Sequence, residues 1–276
     1  MAEGAPVVVI TGAASGIGRA LARCYARSGA RLALLDRDIA GLDDAVAELA
    51  ESGTESLALG CDVTRREDCD AAIQSVVESH GGIDVLINNA GITHMSPFAD
   101  TDVDVVRRVM EVNFFGSVHC TKAALASLVS RRGLVIVLSS VAGFSPLAGR
   151  CAYSASKHAL HGLFETLRSE HHESGLDVMM VCPGFTRTAI ETHALAGDGG
   201  PLRGPLSVFG RQADPDAVAE AIHRAGLRRR RRLVLSPVGK LSYAISRVWP
   251  SLYERMMVRR VAATPAASTA RGPEAD

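Results

Sequence analysis

The chain has 276 residues, 47% of them hydrophobic, 22% charged and only 4% aromatic. That length supports a core without disulfides or metal, and the composition excludes disordered, collagenous and disulfide-scaffold classes. Thirty basic and 30 acidic residues cancel, which argues against an obligate nucleic-acid or membrane-surface protein, yet the balance is uneven: residues 1–202 carry 16 basic and 24 acidic side chains, residues 203–260 carry 13 and 4.

Taken in chain order, short β-branched runs alternate with longer stretches of helical period, the pattern of a parallel sheet covered by helices on both faces. Strands are predicted at Val7–Thr11, Arg31–Asp36, Ser56–Cys61, Asp84–Asn88, Leu134–Ser139, Asp177–Cys182 and Arg232–Ser236. The connection 189–212, rich in Gly and Pro, is too long for an ordinary turn and reads as a lid. Beyond a core of residues 1–237, a basic amphipathic extension is expected at 238–260 and a disordered tail at 261–276. Six cysteines (Cys24, Cys61, Cys69, Cys120, Cys151, Cys182) form no Cys-x-x-Cys pair, and no run of 18 apolar residues occurs. The expected compartment is therefore cytoplasmic.

The first strand runs into Thr11-Gly12-Ala13-Ala14-Ser15-Gly16-Ile17-Gly18 and then into a helical pattern from Arg19. Glycines there let the backbone approach a pyrophosphate, and the following helix offers unpaired N–H groups and a positive dipole end. No Gly-Lys-Ser/Thr follows, so this is not a Walker A loop. Asp36 closes the second strand, where a carboxylate accepts adenosine ribose hydroxyls and repels a 2′-phosphate; this favours NAD, with Arg37 as the feature that would instead admit NADP.

Tyr153 and Lys157 are four apart at the start of a predicted helix and so share a face. An ammonium near the phenol would favour the phenolate and bring it into range for acid–base work near neutrality. The Tyr/Lys pair does not stand alone. With the glycine turn, Cys61-Asp62-Val63, Asn88-Asn89-Ala90-Gly91, Asn113, Ser139-Ser140 and Pro183-Gly184 followed by Thr188, the chain resembles the short-chain dehydrogenase/reductase family from about Val7 to Ser236.

The resemblance implies a Rossmann-type doubly wound fold with a seven-stranded parallel sheet, and a catalytic tetrad of Asn113, Ser140, Tyr153 and Lys157. In that reading Ser140, 13 residues before Tyr153, binds the substrate oxygen, Tyr153 exchanges the proton, Lys157 also binds nicotinamide ribose, and Asn113 holds a relay water through its side-chain amide. Cofactor contacts by similarity are Thr11, Gly12, Ser15, Gly16, Ile17, Gly18, Asp36, Arg37, Asp62, Val63, Asn89, Ala90, Gly91, Pro183, Gly184, Thr186 and Thr188. Asp62 also reads as an N-cap of a helix starting near Arg65, and Asn89 as a turn residue.

The segments that contact substrate in this family supply His94 and Met95, Phe144 and Leu147, then Phe185, Ile190, His193, Leu195 and Leu206. They are mostly apolar, with only Arg150, Arg187 and Arg203 placed to hold an anion, so a hydrophobic secondary alcohol or ketone of steroid, retinoid or lipid type is expected. The alternatives are an NADPH-dependent carbonyl reductase and a non-catalytic nucleotide-binding scaffold. His158, His161 and Glu165 have zinc-permissive spacing without a zincin context, and no metal is expected. A homodimer or homotetramer is implied by the family.

Arg228–Arg232 is a run of five arginines, followed by Leu241, Ile245, Val248, Leu252 and Met256 at helical spacing, with Pro250 expected to kink or split the helix. The favoured reading of 228–260 is a solvated turn and a helix packed on protein. Docking to anionic membrane, aided by Trp249, Tyr243 and Tyr253, competes with it. Nucleic-acid binding is not expected, since no recognition motif accompanies the charge.

Overall fold

The computed structural model describes residues 4–145, 147–188, 190, 193–202 and 212–262. The tail from 263 onward, Arg203, Leu206 and much of the 189–212 connection lie outside the described residues.

Seven parallel strands form one sheet in the order β3-β2-β1-β4-β5-β6-β7. They are β1 Val7–Thr11, β2 Arg31–Asp36, β3 Ser56–Gly60, β4 Val85–Asn88, β5 Leu134–Leu138, β6 Asp177–Cys182 and β7 Arg232–Val234. The helices are α1 Gly16–Arg27, α2 Ile39–Glu51, α3 Arg66–His80, α4 Val103–Met110, α5 Gly116–Ser130, α6 Cys151–Glu170, α7 Pro215–Leu227, α8 Pro237–Val248 and α9 Pro250–Ala262. A one-turn π-helix, Glu111–Phe115, joins α4 to α5 without a break, a feature often found where a helix is adapted to a function.

The period-2 alternation of the strands divides the core into two layers. Val8, Ile10, Leu32 and Leu34 pack with Leu21, Leu42 and Ile222 of α1, α2 and α7. Val7, Val9, Leu35 and Val137 pack with Ile73, Leu128 and Phe164 of α3, α5 and α6. Because both faces are covered, β1 and β5 are buried at every position. The strand order reverses between β1 and β4, which opens a crevice at their carboxyl ends, the place where doubly wound sheets hold ligands.

Local chemistry sets the later helix starts. Asp214 accepts the Ala217 N–H (3.3 Å) with Pro215 in the first turn of α7, and Ser236 accepts the Gly239 N–H (2.9 Å) with Pro237 in the first turn of α8. Pro250 splits the C-terminal pattern into α8 and α9, since proline brings no N–H and disfavours helix at the residue before it. The N-cap of α3 is Arg65 and not Asp62: the Asp62 carboxylate accepts the Thr64 N–H (3.0 Å) and hydroxyl (2.8 Å), a local turn that ends before the helix begins.

Candidate active site

At the carboxyl ends of the strands lies a cavity of about 860 Å³. One half is built from the turn after β1. Gly12 has φ +66°, and a Cβ there would stand 2.8 Å from Ala90 Cα, so the turn closes on the β4 loop only with glycine. Asn89 fixes that contact, its Nδ2 donating to the Thr11 (2.9 Å) and Gly12 (3.0 Å) carbonyls, while Thr11 Oγ1 accepts the Asn89 (3.0 Å) and Ala90 (3.1 Å) N–H groups. Helix α1 follows with no acidic residue in its first turn and no side-chain cap on Ser15. Its orphan N–H groups therefore face the cavity beside Ser15, Gly16 and Ile17, which suits a pyrophosphate. Thr11 and Gly18 stand behind the wall and shape it.

Asp36, Arg37, Asp62 and Val63 line the far end of the same half. The Asp36 carboxylate accepts the Ala14 (3.0 Å) and Asp38 (3.1 Å) N–H groups, which fixes it at the end of β2 with lone pairs to spare for ribose hydroxyls. The Asp62 carboxyl is pushed up by burial, but its bonds from Thr64 and the charges of Arg37 and Arg65 outweigh this and hold it below the ordinary range. Arg37 thus stands in the field of an acid. These residues fit the adenosine half of a dinucleotide, the glycine turn fits its diphosphate, and Thr186, Thr188, Pro183 and Gly184 line the opposite wall.

The other half holds Ser140, Tyr153 and Lys157. Ser139 and Ser140 divide their tasks. Ser139, 3% exposed, donates to the Lys157 carbonyl (3.3 Å) and is a packing residue, whereas Ser140 Oγ accepts the Ala142 N–H (3.1 Å) and stands near enough to Tyr153 to favour its ionised form. Lys157 Nζ donates to the Leu138 carbonyl (2.7 Å), and burial lowers its pKa to about 8. Gly91 leaves room for this arrangement, since a Cβ on it would stand 3.1 Å from Asn113 Oδ1 and 3.6 Å from Lys157 Nζ.

Lys157 Nζ lies 5.7 Å from the Tyr153 ring centre while donating to the Leu138 carbonyl. Burial pushes Tyr153 up, against the Ser140 hydroxyl and the Arg150 charge, which lower it, and the phenol remains above its ordinary value. The side-chain amide of Asn113, fully buried in the π-turn, is taken up by protein: Oδ1 accepts the Ile92 N–H (2.8 Å), and Nδ2 donates to the Ile92 carbonyl (3.0 Å) and Ser156 Oγ (2.9 Å). Both amide hydrogens are thereby used, so Asn113 anchors the 91–92 loop to α6 and does not hold a relay water through this group.

Of the expected substrate residues, Leu147, Phe185, Ile190 and His193 line the cavity. His94, Met95 and Phe144 are not among the described lining residues. His94 is wholly buried, with Nε2 3.7 Å from Cys151 Sγ, because an isolated bridge to Leu195 turns it into the protein. Met95 N donates to the Leu195 carbonyl (2.9 Å) in the same pairing, and Leu195 is itself buried. Phe144 packs edge-on against Tyr243 (4.9 Å) and His161 (6.3 Å). Their sequence neighbours Ile92 and Thr93 face the cavity instead, and Thr93 Oγ1 is buried with no hydrogen-bond partner among the described residues. Arg187 pairs with Asp214 (3.2 Å), while Arg150, 8% exposed and 5.4 Å from the Phe185 ring centre, lines the wall. The zinc-permissive trio is engaged elsewhere: His158 Nδ1 meets the Ser154 carbonyl (2.8 Å), and Glu165 pairs with His161 (3.2 Å) and Arg232.

The feature hidden from sequence is the roof. Val238, Leu241, Ser242 and Ile245 of α8 and Tyr253, Met256 and Met257 of α9 line the cavity. Gly239 seats α8 on the Ser140 turn, for a Cβ there would come 2.9 Å from Val141. A half-hidden stripe at helical spacing says that a face is apolar; it does not say that the face covers the Ser140 turn.

The family model for short chain dehydrogenases matches residues 6–198. The chain belongs to the short-chain dehydrogenase/reductase family. It is 39% identical over 263 residues to Dehydrogenase/reductase SDR family member 7B of Danio rerio, covering 92% of this chain and 85% of that one. It is 36% identical over 260 residues to Dehydrogenase/reductase SDR family protein 7-like of Drosophila melanogaster (92% and 80%). Among solved structures, a short chain dehydrogenase/reductase from Burkholderia phymatum in complex with NAD matches with TM-score 0.81 at 26% identity, over 90% of this chain and 95% of that one. An alcohol dehydrogenase from Thermococcus sibiricus complexed with 5-hydroxy-NADP matches with TM-score 0.73 at 28% identity (84% and 96%). As a member of the family this chain is an oxidoreductase of the Rossmann type.

Proposed function

We propose that this short-chain dehydrogenase/reductase interconverts a hydrophobic secondary alcohol and its ketone with NAD as the preferred cofactor. The observation that carries the reading is the joining, in one cavity, of a dinucleotide-shaped half ending at Asp36 to a half in which Ser140, Tyr153 and Lys157 line the wall together under an apolar roof. Gly12, Ser15, Gly16, Ile17, Asp36, Asp62, Val63, Asn89, Ala90, Gly91, Thr186 and Thr188 would hold the dinucleotide. Bound nicotinamide supplies the hydride acceptor in oxidation and the donor in reduction.

Tyr153 takes the alcohol proton in oxidation and returns it to the substrate oxygen in reduction. Ser140, oriented by the Ala142 N–H, directs its own hydrogen at that oxygen. Lys157 has three donors, of which Leu138 takes one; the others suit the nicotinamide ribose. Arg150 supplies the fixed positive charge that eases ionisation of the phenol. Thr93 offers a buried hydroxyl to a polar group of the substrate, and Leu147, Phe185, Leu241, Ile245 and Met256 take its apolar body. NAD is favoured because a 2′-phosphate would meet the Asp36 carboxylate, with Arg37 already in the field of Asp62.

The test is initial rates over a panel of apolar alcohols and ketones with each cofactor. Turnover of apolar secondary alcohols with higher kcat/KM for NAD than for NADP is expected. Better efficiency with the phosphorylated cofactor would assign the protein to NADPH-dependent carbonyl reduction, and no turnover at all would favour a nucleotide-binding scaffold.

A further inference from the structure

The C-terminal helices have two faces, and the substrate reading accounts for only one. Val238 and Leu241 line the cavity and yet are 61% and 60% exposed, so they form an open apolar rim. Beside them Val248, Trp249, Leu252 and Val258 are also exposed. No helix among the described residues is long and apolar enough to cross a membrane, so this is a surface and not a span.

Charge identifies what fits the surface. Residues 237–262 contain five basic side chains and one acidic; of these Lys240, Arg247 and Arg255 are exposed on the same two helices. The five-arginine run contributes little to this rim. It lies at the amino end of β7, whereas α8 leaves the carboxyl end, and Arg229 is bonded to the Arg132 and Gly133 carbonyls and to Asp177 at the amino ends of β5 and β6. Arg232 is held by Glu165 and Tyr243. Two of the three aromatic residues are likewise internal, Tyr243 between Phe144 and the guanidinium groups of Arg232 and Arg247, and Tyr253 buried at 8% exposure. Trp249, 65% exposed at the junction of α8 and α9, remains as the amphipathic anchor.

We propose that the exposed rim of α8 and α9 docks on an anionic lipid bilayer, with Trp249, Val248 and Leu252 entering the interface and Lys240 and Arg255 facing the headgroups. The cavity mouth at Val238 and Leu241 then opens toward the acyl region, and an apolar substrate enters from the membrane without crossing water; this last clause rests on the substrate reading above, whereas the docking does not. Apolar area and basic charge act together in such contacts, so neither alone gives strong adhesion.

The experiment is co-sedimentation of the full chain at physiological salt with vesicles of phosphatidylcholine alone and of equal phosphatidylcholine and phosphatidylserine. Pelleting with the acidic vesicles and not with the neutral ones is expected. The double substitutions Val248→Ser/Trp249→Ser and Lys240→Gln/Arg255→Gln, neither of which replaces a cavity-lining residue, should each lower the partition constant by about tenfold while leaving the thermal melt unchanged. Failure to pellet, equal pelleting with neutral vesicles, or a self-associated state that the serine pair dissolves would overturn the proposal, the last by assigning the face to a second copy. If acidic vesicles bind the protein but no alcohol is turned over, the substrate reading falls and the docking stands.

Discussion

The floor and the roof of the cavity are built by different physics. The floor consists of strand ends and tight turns whose backbone has no alternatives: β1 and β5 are buried at every position, Gly12 needs a positive φ, and Asn89 ties two loops with one amide. The roof is two short helices resting on the floor, with Gly239 the only buried residue described in α8. The difference teaches where specificity and where chemistry reside. In the proposed function, chemistry sits on the part that cannot move or change without loss, and substrate choice on the part held by a few contacts.

Substitutions can break this division, beginning with the floor. Tyr153→Phe should reduce turnover on the order of 10²- to 10⁴-fold, the usual share of general acid–base catalysis, and leave NAD binding by fluorescence titration intact; a rate within a few-fold of wild type would remove Tyr153 from the mechanism. Asp36→Ala should raise the NADP-to-NAD ratio of kcat/KM on the order of tenfold by relieving charge repulsion, and an unchanged ratio would mean that this carboxylate does not select the cofactor. On the roof, Leu241→Ser with Met256→Ser should raise KM for apolar alcohols on the order of tenfold with KM for NAD unchanged. A parallel rise in both constants would show that the roof and the floor are not separable.

Two charged groups at the seam give finer tests. Arg150 lowers the Tyr153 pKa, so Arg150→Met should move the limb of the alcohol-oxidation pH profile to higher pH; a move to lower pH, or none, would contradict the assignment. Lys157 titrates near 8 in the fold, below its ordinary value. The unfolded chain therefore binds the additional proton above that pH, and the cost of burying the cation, fully present below about 8, is relieved as pH rises toward the usual lysine range. Relative to Lys157→Met, the stability of the wild type measured by denaturant should rise over that window, and parallel curves would show that the burial of Lys157 carries no such cost.

Most of the floor could be read before any coordinates. The glycine turn, Asn89, Asp36, Ser140, Tyr153 and Lys157 reach the cavity wall or stand directly behind it, because each is dictated by short-range geometry around a strand end or a helical turn. Even there, sequence distance left partners out. Lys157, one turn from Tyr153, also donates to the Leu138 carbonyl from β5, and Arg150, buried at the helix start, adds a charge that lowers the phenol pKa.

The substrate wall was less legible. His94 and Met95 belong to the right loop, yet bridging of that loop to Leu195 turns His94 inward and leaves Ile92 and Thr93 at the cavity. Phe144 follows Ser140 closely in the chain but its ring meets Tyr243, 99 positions further on, a partner that no local pattern reveals.

By itself, then, the sequence determined the doubly wound class, the strands, the glycine turn and the polar residues that meet at the cavity, since hydrophobic period, glycine freedom and helical spacing act over a few residues. Tertiary structure alone decided that the Asn113 amide is consumed by Ile92 and Ser156, that the basic run and the apolar stripe lie at opposite ends of β7, and that the stripe closes the cavity. Those outcomes depend on which surfaces distant segments bury against each other, and an amphipathic face records only that it will be covered.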